Sequence, residues 1–217
     1  MDHDTLVQGQ LARAEEAVAL ARQKTEAMAM PDTQRIQALL KSAARTNRPG
    51  KRIRLLLEAA DAYVAPAVPL APCRQGCAHC CHQSVQLTLA EARNLAEASG
   101  SPMSIPDFQE PPLDPAAVAG TPCPFLVDNR CSVYLARPMA CRLLVALDRD
   151  ELLCRITPGH PSTVPVPYLD TRQFQLAAAA QLLDQPVADI RQFFPSRAPG
   201  TLDHDAGRHS SGCAREP

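Results

Sequence analysis

Tryptophan is absent from this 217-residue chain, which has only five phenylalanines and three tyrosines. A chain so thin in large core side chains gains from a metal crosslink, because ligand-binding free energy then becomes folding free energy. An excess of either charge is missing too: 22 basic residues face 23 acidic ones, for a net charge of −1. Binding phosphate backbones needs a basic surface, so nucleic acid is not expected as a partner. The one basic knot, Lys51-Arg-Ile-Arg54, reads as a solvated helix face. No apolar run approaches the roughly 18 residues that a membrane span requires, so no membrane is expected as a partner. The opening Met1-Asp-His-Asp-Thr-Leu-Val-Gln has two acids and no apolar stretch of an export signal, which points to the cytoplasm. No Ser-His-Asp arrangement, paired-carboxylate motif or phosphate-cradling glycine loop is recognisable, so no reaction is assigned.

What the chain has is cysteine. Eight of its nine cysteines fall between Cys73 and Cys154, and four crowd into Cys73-Arg-Gln-Gly-Cys77-Ala-His-Cys80-Cys81. Thiols packed so densely serve as disulfides or as metal ligands. Disulfide scaffolds are short and exported, the count here is odd, and adjacent Cys80 and Cys81 cannot join without straining the backbone. In a reducing compartment the same set reads as a metal centre of zinc or an iron–sulfur cluster, each of which takes four cysteines. Eight thiols can fill two such sites, or one with spares.

Were residues 73–81 helical, a rotation of about 100° per residue would bring the four sulfurs onto one face about 100° wide. His79 and His82 would point elsewhere and read as exposed residues or residues beside the ligands, with ligation of zinc or a cluster as the alternative. Pro72 suits the first turn of such a helix, whereas Gly76 weakens it and leaves a loop knuckle as the alternative. The remaining partners come from Cys123, Cys131, Cys141 and Cys154.

Residues 1–65 read as a helical N-terminal extension. Leu11, Ala14, Val18 and Ala21 recur at helical spacing, then Ile36, Leu39, Leu40 and Ala43 after an Asp32 cap. A third helix after the break at Asn47-Arg-Pro-Gly50 carries Ile53, Leu56, Leu57, Ala60 and Val64. These stripes are packing faces, with a protein partner as the alternative use. Residues 66–195 read as the cysteine-cluster metal-binding domain with C-terminal helices. In it Thr88-Leu-Ala-Glu91 is a capping box and Gly100 a helix stop. Residues 101–121 form a proline-rich connection. Cys123-Pro-Phe-Leu126 and Cys131-Ser-Val-Tyr134 flank a polar turn, Asp128-Asn-Arg130, as in a small hairpin or knuckle. Asp170-Thr-Arg-Gln173 reads as a second capping box opening a helix through Leu183, and Pro186 as the start of another ending at Phe194. Residues 196–217 read as a disordered tail, with Cys213 a bystander in it. The expected fold is mainly α, with helices packed around an irregular cysteine-rich metal-binding centre and at most a short β-hairpin.

Cys73-x3-Cys77-x2-Cys80 has the spacing of the radical S-adenosylmethionine signature, but that motif follows the first strand of a (β/α) barrel. Here helices precede it and no alternation of strand and helix follows. A closer resemblance rests on Pro72-Cys73, Gly76-Cys77, Cys80-Cys81-His82, Cys123-Pro-Phe-Leu126, Cys131-Ser-Val-Tyr134, Arg137-Pro138 and Cys141-Arg142. In this order they resemble the YkgJ-family cysteine-cluster proteins of bacteria over roughly residues 72–155. The resemblance implies zinc or iron chelation by Cys77, Cys80, Cys81, Cys123, Cys131 and Cys141, with Cys73 and Cys154 beside them, and an oxidoreductase-like role. The cluster is also similar to that of flagellin lysine N-methylases, which implies protein methylation as an alternative; no glycine-rich nucleotide loop accompanies it. A third alternative is a non-enzymatic, zinc-stabilised partner-binding module, and a fourth is metal delivery or storage. Arg137 and Arg142 read as salt-bridged structural residues, with stabilising thiolate charge or holding an anion as the alternative, and Tyr134 as core packing or a hydrogen bond to a sulfur.

Overall fold

Asp32 and Thr88 each open a helix where the sequence places one. The computed structural model describes residues 2–195 apart from 75, 112, 159 and 161–163, so the expected tail with Cys213 lies outside the described residues. Helix α1 (His3–Ala27) starts at Asp2, whose carboxylate accepts from the Thr5 amide. Helix α2 (Thr33–Arg45) is capped by Asp32 accepting from Arg35 N–H, and α3 (Pro49–Val64) begins on Pro49, whose missing N–H costs nothing in a first turn. Ile36 and Ala43 of α2 meet Leu56, Ala59, Ala60 and Val64 of α3 in one apolar cluster. Leu143, Val145, Leu147, Leu169 and Phe174 from the far half of the chain complete that cluster.

Of the apolar stripe read for α1, Ala21 is buried and Ala14 is partly so, but the buried face is turned away from Leu11 and Val18. Leu11 and Val18 are exposed, while Leu6, Gln10, Arg13, Ala17 and Ala21 are buried. Polar partners far along the chain set this rotation. Gln10 donates to the Leu152 and Arg155 carbonyls, Arg13 pairs with Asp148, and Lys24 donates to the Leu70 and Asp148 carbonyls. Helix α1 therefore clamps the loop that delivers Cys154.

Strand β1 (Gln86–Thr88) runs into α4 (Leu89–Ser99) through the expected capping box, and Gly100 closes that helix in the left-handed conformation. Strands β2 (Leu126–Val127) and β3 (Arg130–Cys131) form the expected hairpin, with Leu126 opposite Cys131. Its turn needs positive φ at Asp128 and Asn129, which these two residue types tolerate. Helix α5 (Met139–Leu143) follows.

The C-terminal segment differs from the sequence expectation in two places. Asp170 and Gln173 make no capping box: helix α6 (Arg172–Ala179) starts from Thr171 without a side-chain cap, because Asp170 turns to the Arg172 guanidinium and amide. The helix also stops at Ala179 instead of reaching Leu183. Pro186 opens no helix. Residues Val187–Asp189 are strand β4, antiparallel to β1, and the capping box lies at Asp189 and Gln192 of the short α7 (Ile190–Phe193). This second strand pair adds to the one hairpin expected; the fold is otherwise mainly helical. Beneath it Phe125, Phe193 and Phe194 are almost wholly buried, each worth about 1.5–3 kcal/mol of burial.

Candidate metal centre

The described residues of 73–81 are not an α-helix, so no helical face gathers the four sulfurs. They form a loop turning at Gly76 (φ +95°), followed by a 3₁₀ turn at His79–His82. The knuckle is the arrangement adopted: with φ positive at Gly76, only glycine holds this reversal without strain. Cys77 N–H closes it on the Arg74 carbonyl at 3.0 Å.

Around this loop the remaining cysteines arrive on separate supports. Cys123 N–H donates to the Cys81 carbonyl at 2.7 Å, which fixes one chain segment against the other. Cys131 stands on β3 of the hairpin, Cys141 on α5, and Cys154 on a 3₁₀ turn held under α1. Cys73, Cys77, Cys80, Cys81, Cys131 and Cys141 line one cavity of about 80 Å³, with Arg137 and Tyr134 in its wall. Cys123 and Cys154 are buried beside it, and all eight are free of disulfides.

The sulfurs are not drawn into one coordination sphere: among the described residues no three His, Cys, Asp or Glu side chains form a ready metal-holding group. The donor chemistry nonetheless fits a thiophilic metal. Backbone amides two residues on aim at three of the sulfurs: His79 at Cys77, Phe125 at Cys123 and Val133 at Cys131. The Ala146 amide aims at Cys73. An N–H pointed at sulfur stabilises thiolate over thiol and orients its lone pairs.

Burial works in the opposite direction. It pushes the Cys123 thiol up to about 11 and Cys154 to about 12, and raises Cys73, Cys77, Cys131 and Cys141 as well. The vicinal pair is divided: a hydrogen bond from Cys81 holds Cys80 down to about 7, and the same bond pushes Cys81 up. The charge of Arg137 does not outweigh burial, so most of these thiols stay protonated near neutrality. A bound cation supplies the further charge, so its uptake expels protons.

His79 and His82 are not among the residues lining the cavity, and His82 Nδ1 lies 3.1 Å from the Ala78 carbonyl. Burial, then the charge of Arg155, lower the pKa of His79. Arg142 is the structural residue expected: it pairs with Asp61 and donates to the Arg137 and Leu135 carbonyls. Arg137 is not of that kind. Its guanidinium lies 4.1 Å over the Tyr134 ring, and its buried Nε has no partner among the described residues. Tyr168, missed in the sequence reading, hydrogen-bonds the Cys154 sulfur and is itself hydrogen-bonded by Gln83. The signal lay in Val164-Pro-Val-Pro-Tyr168, where an aromatic hydroxyl follows a proline-stiffened segment.

No helix among the described residues is long and apolar enough to cross a membrane. No curated protein and no solved structure matches the chain. A family model does, over residues 72–166, and its name spells two residues between the first cysteines where this chain has Arg74, Gln75 and Gly76. Over that segment the chain is similar to the CxxCxxCC family, whose model is described as "Putative zinc- or iron-chelating domain".

Proposed function

We propose that the protein is a cytoplasmic metal–thiolate protein in which Cys73, Cys77, Cys80, Cys81, Cys123, Cys131, Cys141 and Cys154 hold zinc or an iron–sulfur centre. The observation that carries this reading is the convergence of thiols from separate chain segments around one cavity, with backbone amides aimed at their sulfurs. Disulfide-free cysteines also suit a reducing compartment. Bound zinc would supply a crosslink that closes an irregular fold; a cluster would supply an electron-accepting centre and with it a redox role. The residues' own part is the same in either case: they give up protons, orient sulfur lone pairs and keep water off them.

The test is metal and acid-labile sulfide analysis with a visible spectrum, on protein purified without oxygen and without a metal-affinity column. Iron with sulfide and a brown colour supports the redox reading. Stoichiometric zinc without colour supports the structural, partner-binding module. Protein free of both metals, and unable to take up either after reduction, overturns the proposal.

A further inference from the structure

The eight thiols are not one undivided set. Cys81, Cys123, Cys131 and Cys141 pack into the apolar cluster built on Phe125, Phe193 and Phe194, and Cys73, Cys77, Cys80 and Cys154 are not part of it. Proximity divides them the same way. Cys141 stands in the field of Cys80, Cys123 and Cys131, and Cys81 in that of the same three. Cys154 stands in the field of Cys73, Cys77 and Cys80, and Cys77 in that of Cys73 and Cys80.

The backbone ties each group separately. Cys123 N–H bonds the Cys81 carbonyl, and Cys131 sits across the hairpin from Leu126, one turn after Cys123. On the other side, the Ala146 amide faces Cys73, Ala146 bridges to Tyr168, and Tyr168 bonds Cys154. Cys80 neighbours both groups, and its bond with Cys81 marks the seam between them.

The geometry points to two metal centres per chain: an inner one of Cys81, Cys123, Cys131 and Cys141, and an outer one of Cys73, Cys77, Cys80 and Cys154. This rests on the metal–thiolate reading above. Four thiolates are the complement of one tetrahedral zinc or one cubane cluster, so each group is complete without borrowing. Two four-thiolate zinc sites carry a surplus of negative charge. Arg137, whose charge reaches Cys73 and Cys80 on one side and Cys131 and Cys141 on the other, is placed to offset it. The inner centre is closed by aromatic packing, whereas the outer one is held by a loop that α1 ties down through polar contacts of Gln10, Arg13 and Lys24. The outer metal is therefore the exchangeable one.

The experiment titrates stripped, reduced full-length protein with Co²⁺ alone, counting thiolate-to-cobalt absorbance, and repeats it on Cys154→Ser and Cys123→Ser. The inference expects saturation at two equivalents in the wild type and one in Cys154→Ser, with the helical circular dichroism of Cys154→Ser unchanged. Cys123→Ser is expected to lose one equivalent together with thermal stability. If Cys123→Ser does not fold, the wild type and Cys154→Ser decide alone. Saturation of the wild type at one equivalent, or two retained in folded Cys154→Ser, overturns the two-centre inference while leaving metal binding standing. No Co²⁺ uptake by the wild type overturns both.

Discussion

Arg13 of α1 and Asp148, at the start of the loop leading to Cys154, form an ion pair with side chains only 3% and 1% exposed. Asp148 Oδ1 also accepts the Arg149 amide at 2.7 Å, so one carboxylate oxygen orders both helix and loop. A pair this dry is costly to break and weakly favourable to have. Removing one partner leaves a buried charge, at a cost of about 3–5 kcal/mol, whereas apolar replacement of both is near neutral. Arg13→Ala should lower unfolding free energy in a denaturant titration by about that amount, and Arg13→Met with Asp148→Leu should recover most of it. An Arg13→Ala variant of unchanged midpoint would show that the pair does not hold the loop.

Helix caps and the hairpin turn were legible because their signals are local: Asp32, Thr88 with Glu91, and Asp128-Asn129 act within four residues of themselves. The rotation of α1 was not, because its buried Gln10 and Arg13 are defined by partners 135 and more residues away. The helix expected from Pro186 failed for the same reason: β4 exists only because β1, about a hundred residues earlier, offers a free edge. The number and spacing of the cysteines were legible, but their packing surroundings were not. These depend on which sulfurs meet the phenylalanine cluster and which meet Ala146 and Tyr168.

Cys80 and Cys81 lie at the seam between the two groups, so replacing both by serine should strip most of the metal and unfold residues 73–141. A metal analysis and a thermal melt check this. Cys213→Ser should change neither. Full metal content and an unchanged melting temperature in the Cys80→Ser, Cys81→Ser protein would refute the assignment of these ligands.

Gly120 holds the segment before Cys123 against the Cys81 loop through its N–H on the His82 carbonyl at 2.8 Å. Its φ is +83°, and a Cβ there would stand 2.4 Å from the Pro158 Cα, a backbone atom that cannot swing aside. Gly120→Ala should therefore cost about 2 kcal/mol or more, left-handed backbone alone accounting for roughly 1–2. Gly9, exposed within α1, is the control: a Cβ there meets nothing within 4 Å. Gly9→Ala should stabilise by about 0.5–1 kcal/mol. Equal melting temperatures for the two variants would contradict this account.

Tyr168 gives a hydrogen bond to the Cys154 sulfur, so under the proposed ligation it acts through Cys154 as a positioning residue. A hydrogen bond to a ligating sulfur draws charge off it and lowers the energy of its lone pair. Tyr168→Phe removes that bond and keeps the ring, and the stability loss should stay near 1 kcal/mol. Metal content should not change. The sulfur-to-metal charge-transfer band should move to lower energy, and in an iron-loaded protein the reduction potential should fall. A variant with reduced stability but an unmoved band and potential would make Tyr168 a packing residue only, and would place Cys154 outside the metal centre.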